Sequence, residues 1–190
     1  MKIRLLLITT LFSALSWGQF DINVGGTNYT QDFNTLTSGA WANNTTLTGW
    51  YARTTNTASV VTYAANTGTT TAAGLYAFGI AGTNPLTDRG LGWGISNAYT
   101  GAASTGKGYV GWRLRNNTGA AISSITVTWT GEQWRRDNAL AQNLSLFYQT
   151  GITVSDLIAG TWTSAASTFA SPQLSATAIA LDGNAPANRT

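Results

Sequence analysis

The chain has 190 residues, with ten lysines and arginines against seven aspartates and glutamates, a formal net charge of +3. Charged residues make up only 9 % of it, and it contains neither histidine nor cysteine. These counts exclude catalytic sets built on histidine or cysteine, disulfides, zinc fingers and iron–sulfur clusters. The length predicts a single domain.

The first 18 residues have the layout of a secretory signal peptide. Lys2 and Arg4 form a positive start, 5–15 is an apolar run, and the small residues Ser16 and Gly18 stand where a signal peptidase acts. The run is too short to cross a bilayer, which takes about 20 apolar residues. We therefore expect cleavage after position 18, a secreted or cell-surface location, and no transmembrane segment in the mature chain.

The mature chain is nearly neutral, because the two basic residues of the leader are lost with it. Eight basic and seven acidic residues remain. A nucleic-acid-binding module needs a basic patch to meet phosphate. We therefore expect no nucleic-acid partner.

Two ranges, 107–115 and 122–130, alternate apolar and polar residues most clearly. Alternation with a period of two is typical of half-buried strands. The residues between them, 116–119, read Asn-Asn-Thr-Gly, and Asn and Gly tolerate the positive φ of a turn. The two ranges are therefore predicted to form an antiparallel hairpin with Trp112 and Trp129 in the core.

Weaker alternation predicts further short strands at 20–24, 29–33, 49–51, 59–63, 74–80, 91–96, 143–150 and 176–181. Many short strands, each with one polar face, favour two packed antiparallel sheets. We predict an all-β fold, a two-sheet antiparallel β-sandwich of the jelly-roll kind, with a closed β-barrel as the alternative.

Glu132 is the only glutamate of the chain and lies in an arginine-rich, aromatic stretch. Glycoside hydrolysis needs two carboxyl groups on either side of the scissile bond. Asp182 is the most site-like partner, but nothing in the sequence brings it close to Glu132. An ion pair of Glu132 with Arg113, Arg135 or Arg136 is the simpler interpretation, and we expect the chain not to be an enzyme.

The aromatic residues suggest a glycan site instead. If the alternation of 122–130 continues, Trp134 faces outward beside hydrogen-bonding groups, where its indole can stack on a pyranose ring. A bulge at Gly131, or a loop over the strand, would bury Trp134. The candidate ligand-binding residues are Trp134, Glu132, Arg136, Trp50 and Trp93.

Asp182 and Asn184 flank Gly183 in a turn-like string with two side-chain oxygens. Calcium takes 6–8 oxygen ligands, so these two residues are at best part of a site. A plain turn is the simpler interpretation. We expect no cofactor, with Ca²⁺ at Asp182 and Asn184 as the weak alternative.

Several strings resemble one known family. They are 33–36 (Phe-Asn-Thr-Leu), 48–51 (Thr-Gly-Trp-Tyr), 74–79 (Gly-Leu-Tyr-Ala-Phe-Gly), 88–92 (Asp-Arg-Gly-Leu-Gly), 131–135 (Gly-Glu-Gln-Trp-Arg), and 181–184 (Leu-Asp-Gly-Asn) with 188–189 (Asn-Arg). Together they are similar to an N-terminal module of secreted and cell-surface proteins of Bacteroidota-type bacteria. In such proteins the module often precedes lamin-tail and nuclease- or phosphatase-like domains. The resemblance covers nearly all of the mature chain and implies a β-sandwich and export, but no activity.

The family pattern continues past Asn188 and Arg189, so 19–190 is expected to be one β-sandwich domain truncated at its C-terminus. Three functions follow as hypotheses. The chain is a glycan-binding module, a structural spacer or adhesin-like unit, or the accessory part of a secreted hydrolase whose catalytic domain lies beyond residue 190. The expected partner is a polysaccharide in the first case and the downstream domains of the same polypeptide in the others.

Overall fold

The structure is a computed structural model that describes residues 19–56, 60–80, 88–94, 108–137, 139, 141–152, 154 and 156–190. The predicted signal peptide, 1–18, lies outside these residues. The described part of the chain forms strands and one short 3₁₀ helix, Pro186–Asn188, and no α-helix. The predicted all-β class is confirmed. The strands form several sheets, none of them closed into a barrel, which is consistent with a β-sandwich.

In chain order the strands are β1 (Phe20–Ile22), β2 (Gly39–Ala40), β3 (Trp50–Thr54), β4 (Thr62–Asn66), β5 (Gly74–Phe78), β6 (Gly90–Gly94), β7 (Gly108–Trp112), β8 (Leu114–Asn116), β9 (Arg135–Arg136), β10 (Asn143–Tyr148), β11 (Thr163–Ala170) and β12 (Ile179–Ala180).

One sheet has four strands in the order β2-β4-β5-β6, and the other described strands pair as β1 with β8, β3 with β7, β9 with β12, and β10 with β11. Two of these contacts, β1 with β8 and β4 with β5, are parallel, and the others are antiparallel. Strands β4 and β5 follow one another through residues 67–73 only. Seven residues reach about 24 Å when extended, enough to run back along a five-residue strand of about 17 Å.

Strand β5 carries the core because it is covered on both faces. Leu75 and Ala77 point into the main cluster, whose other buried members are Leu36, Trp41, Ala52 and Val60. Tyr76 and Phe78, on the opposite face, form a second cluster with Trp134. Leu75 is only 2 % exposed, and full burial of such a side chain stabilises the fold by about 1.5–3 kcal/mol.

The predicted hairpin of 107–115 and 122–130 is wrong. Strands β7 and β8 do form in the first range, but β7 pairs with β3, which sets Trp112 opposite Trp50, and β8 pairs with β1. Trp112 then stacks on Tyr29 at 4.2 Å between ring centroids, a contact that the hairpin would not provide. Residues 122–130 join no sheet among the described residues. Aromatic packing between distant segments therefore decides the pairing, rather than the local turn.

The weaker predicted strands overlap observed strands except at 29–33, which forms none. The sequence pattern does not predict β11, because its Thr-Ser-Ala-Ala-Ser-Thr stretch is small and polar. It becomes a strand through its antiparallel pairing with β10. The register of this pairing shifts between Ser145 and Phe147. No helix in the described part of the chain is long and apolar enough to span a membrane.

Candidate functional site

The stretch 131–136 carries three of the five candidate ligand residues and is paired on both edges. On one edge, β9 runs antiparallel to β12. On the other, Glu132 faces Arg189 in an antiparallel bridge, next to a 2.8 Å bond from the Gln133 amide to the Asn188 carbonyl. Residues 131–133 are therefore paired along one edge and residues 134–136 along the other.

Trp134 is buried, with 5 % of its surface exposed. Its ring stacks on Phe78 at 6.0 Å between centroids and 13° between planes. A Cβ built on Gly183 would overlap the indole, so the 182–184 turn lies directly on it. The threonines of 126–130 face solvent as the alternation predicts. Of the two alternatives, burial of Trp134 under a covering loop is confirmed, because β5 and the 182–184 turn cover the strand from residue 132 onward.

Glu132 lies under the same cover. Its Oε2 accepts a hydrogen bond from Trp134 Nε1 at 2.9 Å, and a Cβ on Gly90 would come within 2.6 Å of that oxygen. Burial raises the pKa of Glu132, and Asp88 raises it further, while the indole hydrogen bond and Arg189 act in the opposite direction. We call this cluster of Phe78, Gly90, Glu132, Trp134 and Gly183 the Trp134 junction.

The expected ion pair of Glu132 with a neighbouring arginine is wrong. Arg135 pairs instead with Asp137 at 2.9 Å and donates to the Gly68 carbonyl at 3.1 Å. Arg136 is half-buried, and its Nε has no hydrogen-bond partner in the described part of the chain. The Glu132 carboxyl is thus held by the indole rather than by a guanidinium.

The Asp182–Asn184 turn makes hydrogen bonds within itself and to neighbouring residues. Asp182 Oδ1 accepts from the Asn184 amide at 2.9 Å, and the Asp182 carbonyl accepts from Asn188 Nδ2 at 2.7 Å. Asn184 Nδ2 donates to the Asp88 carbonyl at 3.1 Å. Within the described residues no group of three acidic, histidine or cysteine side chains is placed to hold a metal ion. Asn184 Oδ1 is buried and has no hydrogen-bond partner in the described part of the chain. Turn hydrogen bonds therefore account for Asp182 but not for every polar atom of Asn184, and calcium at these two residues stays a prediction.

Trp50 and Trp93 lie away from the Trp134 junction. Trp50 belongs to a half-buried aromatic stack, with Trp112 at 6.5 Å and Phe33 edge-on at 4.9 Å, and its Nε1 donates to Tyr29 Oη at 3.1 Å. Trp93, on β6, packs against the main core cluster. The five candidate residues therefore form no single site. Trp112 and Trp129, expected in the core, are only partly buried.

The strings that carry the family resemblance, except 48–51, meet at and around the Trp134 junction. Asp88 forms a salt bridge with Arg189 at 3.2 Å, which links the 88–92 string to 188–189. Arg89 is buried and donates from its guanidinium to the Ala77 carbonyl at 2.9 Å, while its amide donates to Asn34 Oδ1 at 2.7 Å. Burial lowers the pKa of Arg89. Arg89 thus links β5 to the segment around Asn34. The sequence gives no signal for this role, since the two partners are 12 and 55 residues away.

A small cleft of about 170 Å³ lies near the β10–β11 hairpin, lined by residues of 149–151, 154, 156 and 159–160. Its only carboxylate, Asp156, is paired with Arg53 at 2.6 Å. None of the predicted ligand residues lines it.

Comparison of the chain with protein-family models, curated proteins and solved structures gives no match.

The contact between Gly183 and the indole predicts that Gly183→Ala destabilises the fold by about 1–3 kcal/mol, since the added methyl has no room. Gly25→Ala is the matched control, because nothing lies within 4 Å of a Cβ at that position. Urea unfolding of both variants measures the difference. Equal stabilities would show that the turn does not rest on Trp134 in solution.

The raised pKa of Glu132 predicts a pH dependence. The folded state holds this proton more tightly than the unfolded state. The contribution of Glu132 to stability is therefore fully present below the ordinary pKa of 4.5 and is lost as the pH rises through the folded pKa. Glu132→Gln keeps an acceptor for the indole and removes the titration. We expect a smaller loss of Tm with rising pH in this variant than in the wild type.

The matched charge control is Asp137→Asn, which removes an exposed carboxylate from the same segment. If Glu132→Gln leaves the slope of Tm against pH unchanged between pH 4 and 7, Glu132 is solvated rather than buried.

Proposed function

We propose that this chain is an exported, non-catalytic β-sandwich module that acts as a structural spacer, holding neighbouring parts of a larger surface or secreted protein. One observation carries the proposal. The side chains whose chemistry suits a ligand, Trp134 and Glu132 above all, are used to pack the module together.

A sugar platform needs an aromatic face open to solvent. The Trp134 ring packs against Phe78 and against the 182–184 turn. The ring could be opened to solvent only by disrupting this packed cluster. Aromatic pairs of this geometry contribute about 0.5–1.5 kcal/mol beyond the area that they bury. A spacer uses such residues for stability, which is how they are used here.

Glu132 supports the same proposal. A catalytic acid must reach the proton acceptor of its substrate within about 3 Å. The Glu132 oxygen that meets Trp134 also lies against Gly90. Its raised pKa follows chiefly from burial, which packing produces without any catalytic role.

Export is the second part of the proposal, and it is supported by the leader-like first 18 residues and by the composition of the remainder. The mature chain has no cysteine, so its stability outside the cell would depend on packing. A chain of about 170 residues buries roughly 70 % of its unfolded surface, which is sufficient for that purpose.

The spacer proposal predicts no glycan binding that depends on the candidate tryptophans. The full chain, labelled and applied to a glycan array, should give no specific signal, and soluble glycans should not quench its tryptophan fluorescence. Trp50→Phe and Trp134→Phe are suitable variants, because both keep an aromatic ring in place. A specific signal lost in either variant, with the fold intact, would replace the spacer by a carbohydrate-binding module.

Export predicts a defined new N-terminus. When the full chain is produced in a bacterium with a general secretory pathway, mass spectrometry of the secreted protein should show that it begins at Gln19. Leu6→Arg breaks the apolar run and should leave the precursor uncleaved inside the cell. Recovery of the secreted protein with Met1 still attached would contradict the leader assignment.

A further inference from the structure

Residues 121–130 form an unusual part of the surface. They run for ten residues without a turn or bend. No backbone hydrogen bond joins them to any other described residue. An extended segment whose amides and carbonyls have no partner among the described residues is, within that part of the chain, an open sheet edge, which natural proteins cover or pair.

One face of this segment is apolar and only half covered. Ile125, Val127, Trp129 and Gly131 share it, because alternate residues of a strand point the same way. At its far end Trp129 Nε1 donates to Ser167 Oγ at 3.0 Å, and Gly131 lies against the Phe169 ring. Strand β11 therefore covers this end of the face.

The other end is open. Ile125 and Val127 are 55 % and 53 % exposed. Leu144, which pairs with Phe169 across the β10–β11 hairpin, is 46 % exposed. Apolar side chains of segment 121–130 and of the β10–β11 hairpin are thus exposed to solvent next to the place where the two elements are in contact.

The register beside this edge is already set by the last residues of the chain. Gly131 and Thr190 exchange both backbone hydrogen bonds, at 3.0 and 3.1 Å. In an antiparallel ladder the next such pairs fall at every second residue. A strand continuing from Thr190 would therefore meet the amide and carbonyl of Trp129, then of Val127, then of Ile125.

We propose that 121–130 is an acceptor edge for one further antiparallel strand, formed by polypeptide joined directly to Thr190. The second, fourth and sixth residues of that strand lie opposite Trp129, Val127 and Ile125 and carry apolar side chains that cover the open face. This inference goes beyond the spacer function and is independent of it.

Covalent continuity selects this occupant over a strand from a second copy. A separate strand would have to end where Thr190 already pairs with Gly131. It would also lose translational and rotational freedom on binding, a cost that a strand attached at Thr190 largely avoids.

The test extends the 190-residue chain by seven residues. The in-phase extension is Ser-Val-Thr-Val-Thr-Ile-Thr, with apolar residues at its second, fourth and sixth positions. The matched control, Val-Ser-Val-Thr-Ile-Thr-Thr, has the same composition with the apolar residues moved to the other face. Amide hydrogen exchange by NMR is measured for both and for the unextended chain.

The in-phase extension should slow exchange at Trp129, Val127 and Ile125 by about tenfold or more, since each amide gains a hydrogen bond. The amides of Thr126 and Thr128 point to the other edge and should not change. The control should protect these residues much less. Adding Val127→Pro to the in-phase chain should cancel the gain, and this exposed residue should tolerate the change in the unextended chain.

Equal protection by both extensions, or protection at Thr126 and Thr128 alone, would overturn the proposal. So would a concentration-dependent dimer of the unextended chain that protects the same three amides and persists with the in-phase extension, because a second copy would then occupy the edge.

Discussion

The burial of one indole holds distant parts of this fold together. Trp134 lies between Phe78 of β5 and the 182–184 turn, and its Nε1 donates to Glu132 on its own strand. Phe78 belongs to an inner strand of the four-stranded sheet, and the turn belongs to the last ten residues of the chain. Removal of the ring would take away this packed contact, leaving the polar contacts of Asp88 with Asn184 and Arg189. It would also leave the half-buried Glu132 carboxyl without its donor.

The same contact explains why a residue set that resembles a binding site is better understood as packing. Glutamate, arginine and tryptophan within five residues are also what a glycan platform requires. Here the glutamate accepts from the indole, and the indole packs on Phe78 and the 182–184 turn. These groups would have to exchange good partners for a ligand, and a buried polar group that loses its partner costs about 1–3 kcal/mol. This packing is the observation on which the proposed spacer function rests.

The two parts of the 121–136 segment, before and after residue 131, differ in how their backbones are paired. From residue 131 onward the backbone is paired: 131–133 pair with 188–190 along one edge, and 134–136 pair with 179–181 along the other. Before residue 131 the backbone is unpaired in the described part of the chain, and Ile125 and Val127 are exposed. Backbone pairing among the described residues therefore ends at the Gly131–Thr190 pair. This pair fixes the register that an antiparallel strand beside 121–130 would have.

The sequence by itself determined the all-β class and most of the strand positions, because alternation with a period of two is a local property that each short segment carries. The pairing of β7 with β3, the burial of Trp134 and the strand character of β11 were decided only by the tertiary structure. Each depends on partners far along the chain: Trp50 for Trp112, the 182–184 turn for Trp134, and β10 for β11. Periodicity shows which face of a strand is apolar, but not which distant segment covers it, and that cover decided that Trp134 is buried.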